Sequence, residues 1–251
     1  MIDQQKLWDT EAARRYDTPG EGMFAPEVLG PTVETLARLA EGGSALELAI
    51  GTGRVAIPLR DAGVPVHGIE LSEAMLGRLR EKADATRIPV VQGDMTTAVA
   101  GEGHALVYLV FNTISNLLSQ EEQVACFRNA ARHLAPGGRF VIELWVPQLR
   151  ALAPGHRGTV EISEEGYLLV DTIDLLEQRL ISHHIRFDPQ IDGSQEARMA
   201  RTPHRYIWPS ELDLMAQLAG LELEDRWADW QGSPFTAESA GHVSVYRLVQ
   251  S

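Results

Sequence analysis

Residues 45–53 read Ala45-Leu46-Glu47-Leu48-Ala49-Ile50-Gly51-Thr52-Gly53, an apolar run broken by one acid and closed by two glycines. A run of this length, bounded by glycine, reads as a buried strand over 45–50. Two glycines at its end allow the backbone to turn sharply and to approach a ligand closely. Helical spacing resumes at once over 54–62 and stops at Gly63, so the turn leads into a helix start with unpaired N–H groups.

The same alternation continues outward. Apolar runs at 66–70, 89–92, 105–111 and 139–145 read as strands, and the segments between them read as helices. Ser72 is placed to cap one helix running to about residue 85; another, over 121–135, is ended by Pro136-Gly137-Gly138. Unbroken apolar strands separated by helices predict a parallel sheet covered on both faces. Upstream, residues 1–41 read as helical, broken at Pro19-Gly20 and Pro26 and stopped by Gly42-Gly43.

After Pro147 the pattern changes. Four consecutive strands are expected at 159–163, 167–175, 179–187 and 198–208, with turns at Glu165-Gly166 and Asp192-Gly193. A helix over 209–219 with Ser210 in its first turn and Gly220 as its stop, then strands at 221–230 and 242–249, close the chain. The expected organisation is an α/β core over 1–147 and 209–251, interrupted by an antiparallel β insertion over 148–208.

Composition narrows the partners. The 251 residues carry 35 acids against 22 lysines and arginines, a net charge of -13, which leaves no basic stripe for a nucleic-acid backbone. A single cysteine, Cys126, builds no disulfide framework and reads as a small buried residue beside Phe127. No apolar run approaches the roughly 20 residues of a membrane span, and the polar N-terminus is unlike a signal peptide. The expectation is a cytoplasmic protein with a small or cationic partner, monomeric or homodimeric, engaging neither nucleic acid nor membrane.

The turn itself is ambiguous. Gly51-x-Gly53-x-x-Ala56, with Glu70 further on, also fits a dinucleotide fingerprint. Acids recur, however, at the ends of the first three strands: Glu47, Glu70 and Asp94. Such a crest repels a pyrophosphate and suits a ligand with a positive sulfonium.

The segments ELAIGTG (47–53), GIELSEAML (68–76), QGDM (92–95) and LAPGGRFVIEL (134–144), taken in order, resemble the class I (Rossmann-like) S-adenosylmethionine-dependent methyltransferases, small-molecule group. The resemblance covers 44–145 closely, and the terminal helix-strand-strand extends it. It implies a seven-stranded, mostly parallel sheet whose last strand is antiparallel. It also implies S-adenosyl-L-methionine as cofactor and S-adenosyl-L-homocysteine as product. Glu47, Gly51 and Gly53 would surround the methionine portion, Glu70 the ribose, and Asp94 with Met95 the adenine, with Leu71 also binding the cofactor. Ala49 stands where the family usually has its first glycine. Phe111 and Asn112, after the fourth strand, complete the expected cofactor set, and Tyr16 is the expected lid residue.

Methyl transfer is an in-line displacement at carbon, so positioning supplies much of the acceleration. A base is needed only where the acceptor must lose a proton. The candidates are His184, His204, Tyr206 and Glu143; His183 neighbours His184 in a strand and must face the other way. The acceptor is expected to be a small molecule methylated at oxygen or nitrogen, less readily at carbon. Glu161, Glu164 and Glu165 read as a solvated acidic turn, and His242 as a sheet-edge residue. No histidine, carboxylate or cysteine spacing suggests a metal site. Two other functions fit the glycine turn. An NAD(P)-dependent oxidoreductase would need a catalytic Tyr/Lys pair, and the chain has only Lys6 and Lys82. A non-catalytic cofactor-binding protein would lack turnover.

Overall fold

A computed structural model describes residues 8–189 and 195–249. In chain order its elements begin with α1 (Thr10–Tyr16), α2 (Pro26–Leu39), β1 (Ala45–Leu48), α3 (Ala56–Asp61), β2 (Val66–Glu70), α4 (Glu73–Lys82), β3 (Val90–Gln92) and β4 (His104–Leu109). They continue with α5 (Gln120–His133), β5 (Leu134–Trp145), β6 (Gly158–Glu164), β7 (Tyr167–Asp174), β8 (Arg179–Pro189) and β9 (Gln195–Arg205). The last are α6 (Pro209–Leu218), β10 (Leu221–Trp227) and β11 (Gly241–Leu248).

β1 is buried along its whole length and pairs in parallel with β2 on one side and β4 on the other. The seven-stranded sheet runs β10-β11-β5-β4-β1-β2-β3, and only β11 is antiparallel to its neighbours. Alternate side chains of the central strands feed two cores, one on each face. Leu46, Leu48, Phe127, Phe140 and Tyr246 pack on one face; Leu36, Leu59, Leu79, Leu106 and Tyr108 pack on the other. The helix starts follow local chemistry. Ser72 accepts the Met75 N–H at 3.2 Å, and Ser119 and Glu122 form a reciprocal capping box at α5. Strands β6 to β9 form a separate antiparallel sheet in sequence order. The expected turn at Asp192-Gly193 lies outside the described residues.

Several boundaries differ from the sequence expectation. β1 ends at Leu48, because Ala49 adopts a positive φ of 52° that turns the chain out of the sheet. α5 ends at His133 rather than 135, and β5 already starts at Leu134, opposite His104. The register then slips between His104 and Leu106, and Pro136-Gly137-Gly138 form the excursion. A Cβ at Gly138 would lie 3.0 Å from two backbone oxygens, so a side chain there would force the neighbouring backbone to give by a few tenths of an ångström. β10 stops at Trp227, and an isolated bridge to Pro234 begins the loop to β11.

His242 is not at an edge. It lies in β11, between β10 and β5, 1% exposed, with Nδ1 2.8 Å from Ser244 Oγ. Burial pushes its pKa down to about 4. The folded state therefore refuses a proton that the unfolded chain takes up below about pH 6.5, so this stability is present above that pH and lost as pH falls. Between pH 7 and pH 5 the stability difference between the native chain and His242→Leu should shrink by roughly 2 kcal/mol. Urea unfolding at the two pH values measures it, and a constant difference would contradict a neutral buried imidazole.

Candidate active site

The carboxyl ends of β1, β2, β3 and β4 open on a cavity of about 1210 Å³. Gly51 follows β1 with φ 56°, and the Gly53 N–H donates to Ile50 O at 3.0 Å to close the turn. Glu70 braces this turn. Its Oε2 accepts the Gly51 N–H at 2.8 Å and its Oε1 accepts the Ser72 N–H at 2.7 Å. Burial, at 7% exposure, pushes the Glu70 pKa up, and the backbone donors oppose that rise. The wall gathers Ala49, Gly51, Glu70 and Leu71 with Asp94 and Met95. Asp94 Oδ1 accepts both the N–H and the hydroxyl of Thr96 at 2.7 Å.

Phe111 and Asn112 extend the same wall, and both hold the left-handed backbone, at φ 56° and 60°. That strain needs bracing. Glu143 supplies it: Oε2 accepts the Phe111 N–H at 2.7 Å and Oε1 accepts the Trp230 indole N–H at 2.8 Å. Asn112 Oδ1 in turn accepts the Trp145 N–H at 2.7 Å. Glu143 thus clamps two loops and is not in the cavity wall.

Glu47 and Gly53 lie behind the wall rather than in it. Glu47 is 3% exposed and accepts the Tyr108 hydroxyl at 2.9 Å; burial pushes its pKa up to about 8. Trp8 and helix α1, with Tyr16 at its end, close one side of the cavity, the Trp8 and Tyr16 rings meeting edge to face at 5.8 Å. Three bonds latch it. Ser72 donates to Trp8 O at 2.6 Å, Thr52 donates to Asp17 at 2.5 Å, and Lys82 pairs with Asp17 at 2.7 Å.

The four-stranded sheet forms the opposite wall. His184 faces the cavity, and its Nδ1 lies 2.7 Å from the Tyr167 hydroxyl; His183 faces away, bonded to Thr172. His204 Nδ1 lies 3.3 Å from Ser115 Oγ. Burial lowers the pKa of both His184 and His204, the latter to about 4, so His204 is unprotonated at neutral pH. Tyr206, 2% exposed, shares this wall, and its pKa is raised by burial. Glu161 lines it as well from an exposed position, and Glu164 and Glu165 are likewise exposed, as expected of a solvated turn.

Trp8, Ser115, Thr159 and Asp171 line the cavity without having been expected there. For Asp171 a signal existed: Leu169-x-Asp171-x-Ile173 and Leu180-x-Ser182-x-His184 place polar groups on one otherwise apolar strand face. Nothing local marks the others. Among the described residues, no group of three His, Cys, Asp or Glu is placed to hold a metal ion. No helix there is long and apolar enough to cross a membrane.

Residues 45–138 match the model of a methyltransferase domain. The chain is 38% identical to the CcbJ methyltransferase of Streptomyces caelestis, each chain covered over 96%, with a TM-score of 0.80. It is 26% identical over 247 residues to the cypemycin N-terminal methyltransferase of a Streptomyces species, spanning 95% of this chain and 96% of that relative. Over 143 residues it is 36% identical to the dTDP-3-amino-3,4,6-trideoxy-alpha-D-glucopyranose N,N-dimethyltransferase of Streptomyces venezuelae, 55% of this chain and 59% of that one.

Proposed function

This chain belongs to the S-adenosylmethionine-dependent methyltransferases, and from that premise we propose that it methylates the nitrogen of a small-molecule amine in the cavity between its two sheets. This cavity carries the reading, because it joins the glycine turn and Glu70 to a facing wall of neutral imidazoles. Its volume exceeds the roughly 300–1,000 Å³ of a one-ligand pocket, which suits a cofactor and an acceptor together. The names of two relatives, an N-terminal methyltransferase and an N,N-dimethyltransferase, support nitrogen over oxygen.

The donor set fits the cofactor. Glu70 is an acceptor-only carboxylate with lone pairs beyond its two backbone bonds, suited to a ribose diol. In this reading the Gly51 turn holds the methionine portion, with Glu47 and Gly53 supporting it from behind. Asp94 and Met95 flank the adenine, and Leu71, Phe111, Asn112 and Tyr16 cover the ligand. Bound there, S-adenosylmethionine supplies an electrophilic methyl carbon on a sulfonium sulfur. Transfer would require the acceptor nitrogen to be held in line with that carbon, and the methylated nitrogen would then have to lose a proton. His204 or His184, held unprotonated, receives it, with Tyr206 orienting the acceptor. Glu143 acts only through the loops it braces. The β6–β9 sheet serves as the acceptor cover, α1 as the cofactor lid, and the setting is cytoplasmic.

His204→Ala should lower kcat by about a hundredfold, within the range of general acid–base effects, and leave cofactor affinity unchanged. Because the His204 pKa is about 4, activity should show no acidic limb from this residue above pH 5. Transfer of labelled methyl into a panel of free amines and their O-linked counterparts tests the whole reading. Label appearing only in hydroxyl products, or in none, would overturn nitrogen methylation.

A further inference from the structure

His204 meets one hydroxyl of the core, that of Ser115, and the bonds of that hydroxyl decide which ring nitrogen carries the proton. Ser115 is 1% exposed and lies in the short turn over Thr113–Asn116 that follows β4. Its Oγ donates to Asn112 O at 2.7 Å, and its backbone N–H reaches the same oxygen at 2.9 Å. A serine hydroxyl has one proton to give, and here Asn112 takes it. Towards His204 Nδ1, at 3.3 Å, Ser115 Oγ is therefore the acceptor. Nδ1 then bears the ring proton, and Nε2 is the bare nitrogen of the neutral imidazole.

A buried cluster behind the wall holds both ends of this contact. His204 and Tyr206 line the cavity, whereas Arg205 between them is 6% exposed and does not. Arg205 Nη1 donates to Gln123 Oε1 on α5 at 2.5 Å, and Nη2 donates to Gln178 Oε1 and Glu211 Oε1, each at 2.8 Å. Gln178 lies in the turn between β7 and β8, and Glu211 in the first turn of α6. Gln123 Nε2 in turn donates to Leu117 O at 2.9 Å and Ile114 O at 3.5 Å, which bracket Ser115, and to Arg205 O at 3.4 Å. Burial works to raise the Glu211 pKa, and the bonds from Arg205, Gln178 and Gln120 outweigh it. A buried ion pair holds where its other polar groups are satisfied, and no buried side-chain nitrogen or oxygen of these four residues lacks a partner.

We propose that Ser115 and Arg205 are positioning residues for the transfer: Ser115 fixes His204 in the Nδ1–H form, and the Arg205 cluster holds Ser115 and His204 against each other. This rests on the reading of His204 as the group that receives the acceptor's proton. The Nε2 lone pair takes that proton, the N–H electron pair stays on the methylated nitrogen, and His204 becomes an imidazolium whose Nδ1–H still points at Ser115. Because Asn112 belongs to the expected cofactor wall, the chain Asn112–Ser115–His204 also sets the base relative to the methyl donor.

The test is nitrogen NMR of the histidine side chains in the full chain saturated with S-adenosylhomocysteine at pH 7.5, with His204→Ala assigning the signals. The expected native spectrum shows His204 protonated at Nδ1 and bare at Nε2. Ser115→Ala should move His204 towards the Nε2–H form, and Arg205→Lys, which keeps the charge but not the fork, should give a mixture. Retained S-adenosylhomocysteine binding shows that each variant is folded; where Arg205→Lys fails this, Gln178→Asn removes one arm of the cluster and is read in its place. Ser115→Ala should also lower kcat for an amine of the labelled-methyl panel about tenfold, part of the roughly 10²–10⁴-fold a positioned base supplies, with the KM for S-adenosylmethionine unchanged. A native Nε2–H form, or a tautomer unmoved in Ser115→Ala, would overturn the role of Ser115, and an unmoved tautomer in the cluster variants that of Arg205. The tautomer is read without turnover, so these failures are distinct from an undiminished rate in His204→Ala, which would overturn the base assignment itself.

Discussion

Glu70→Ala is expected to weaken S-adenosylhomocysteine binding by about a hundredfold, roughly 2.7 kcal/mol, and to destabilise the fold in the same step. The carboxylate is 7% exposed and accepts two backbone N–H groups, from Gly51 and Ser72. Alanine leaves both donors without partners, and hydrogen bonds to charged groups are worth about 1.5–3 kcal/mol each. The loss falls on the start of α4 and on the glycine turn together, because Glu70 is what ties them. Calorimetry reads the affinity and urea unfolding reads the stability. Glu70→Gln should lie between the two, since its amide offers one acceptor oxygen where two are used. Unchanged affinity would remove Glu70 from the cofactor site, whereas unchanged stability would show that the brace matters little.

Gly53→Val should cost about 3–5 kcal/mol of stability, combining backbone strain with overpacking. Gly53 has a φ of 82°, and a Cβ there would lie 2.4 Å from Leu79 Cδ1 and 3.1 Å from Ile57. Leu79, fully buried on α4, must shift to admit it. Gly63→Ala separates the two costs. That glycine has a φ of 97° but open space around it, so only about 1–2 kcal/mol of strain is expected. Equal losses at the two positions would mean that packing against Leu79 does not constrain the turn.

These two residues mark where local sequence is informative. Gly53 and Glu70 were legible because a strand, its turn and the next strand lie within about 25 positions, and one motif spans them. The capping role of Ser72 was legible for the same reason, since a cap is a contact three residues long. Ala49, Phe111 and Asn112 were not legible as left-handed residues. Their backbone is imposed by partners such as Glu143, 32 positions from Phe111. Glu143 itself looked like a base at a strand end, and only its two donors make it a clamp. His242 looked like an edge residue because the crossover that puts β11 inside the sheet leaves no mark on its own residues.

By itself the sequence determined the alternation of strands and helices, the glycine turn and the antiparallel character of residues 159–208. Each of these follows from periodicity or from groups close together along the chain. Tertiary structure alone decided that Glu47 lies behind the cavity wall, that α1 is latched through Asp17, and that residues of the four-stranded sheet line the same cavity as Glu70. Those facts depend on how one sheet is set against another. Such placement is governed by the packing of whole faces, which no short stretch of residues encodes.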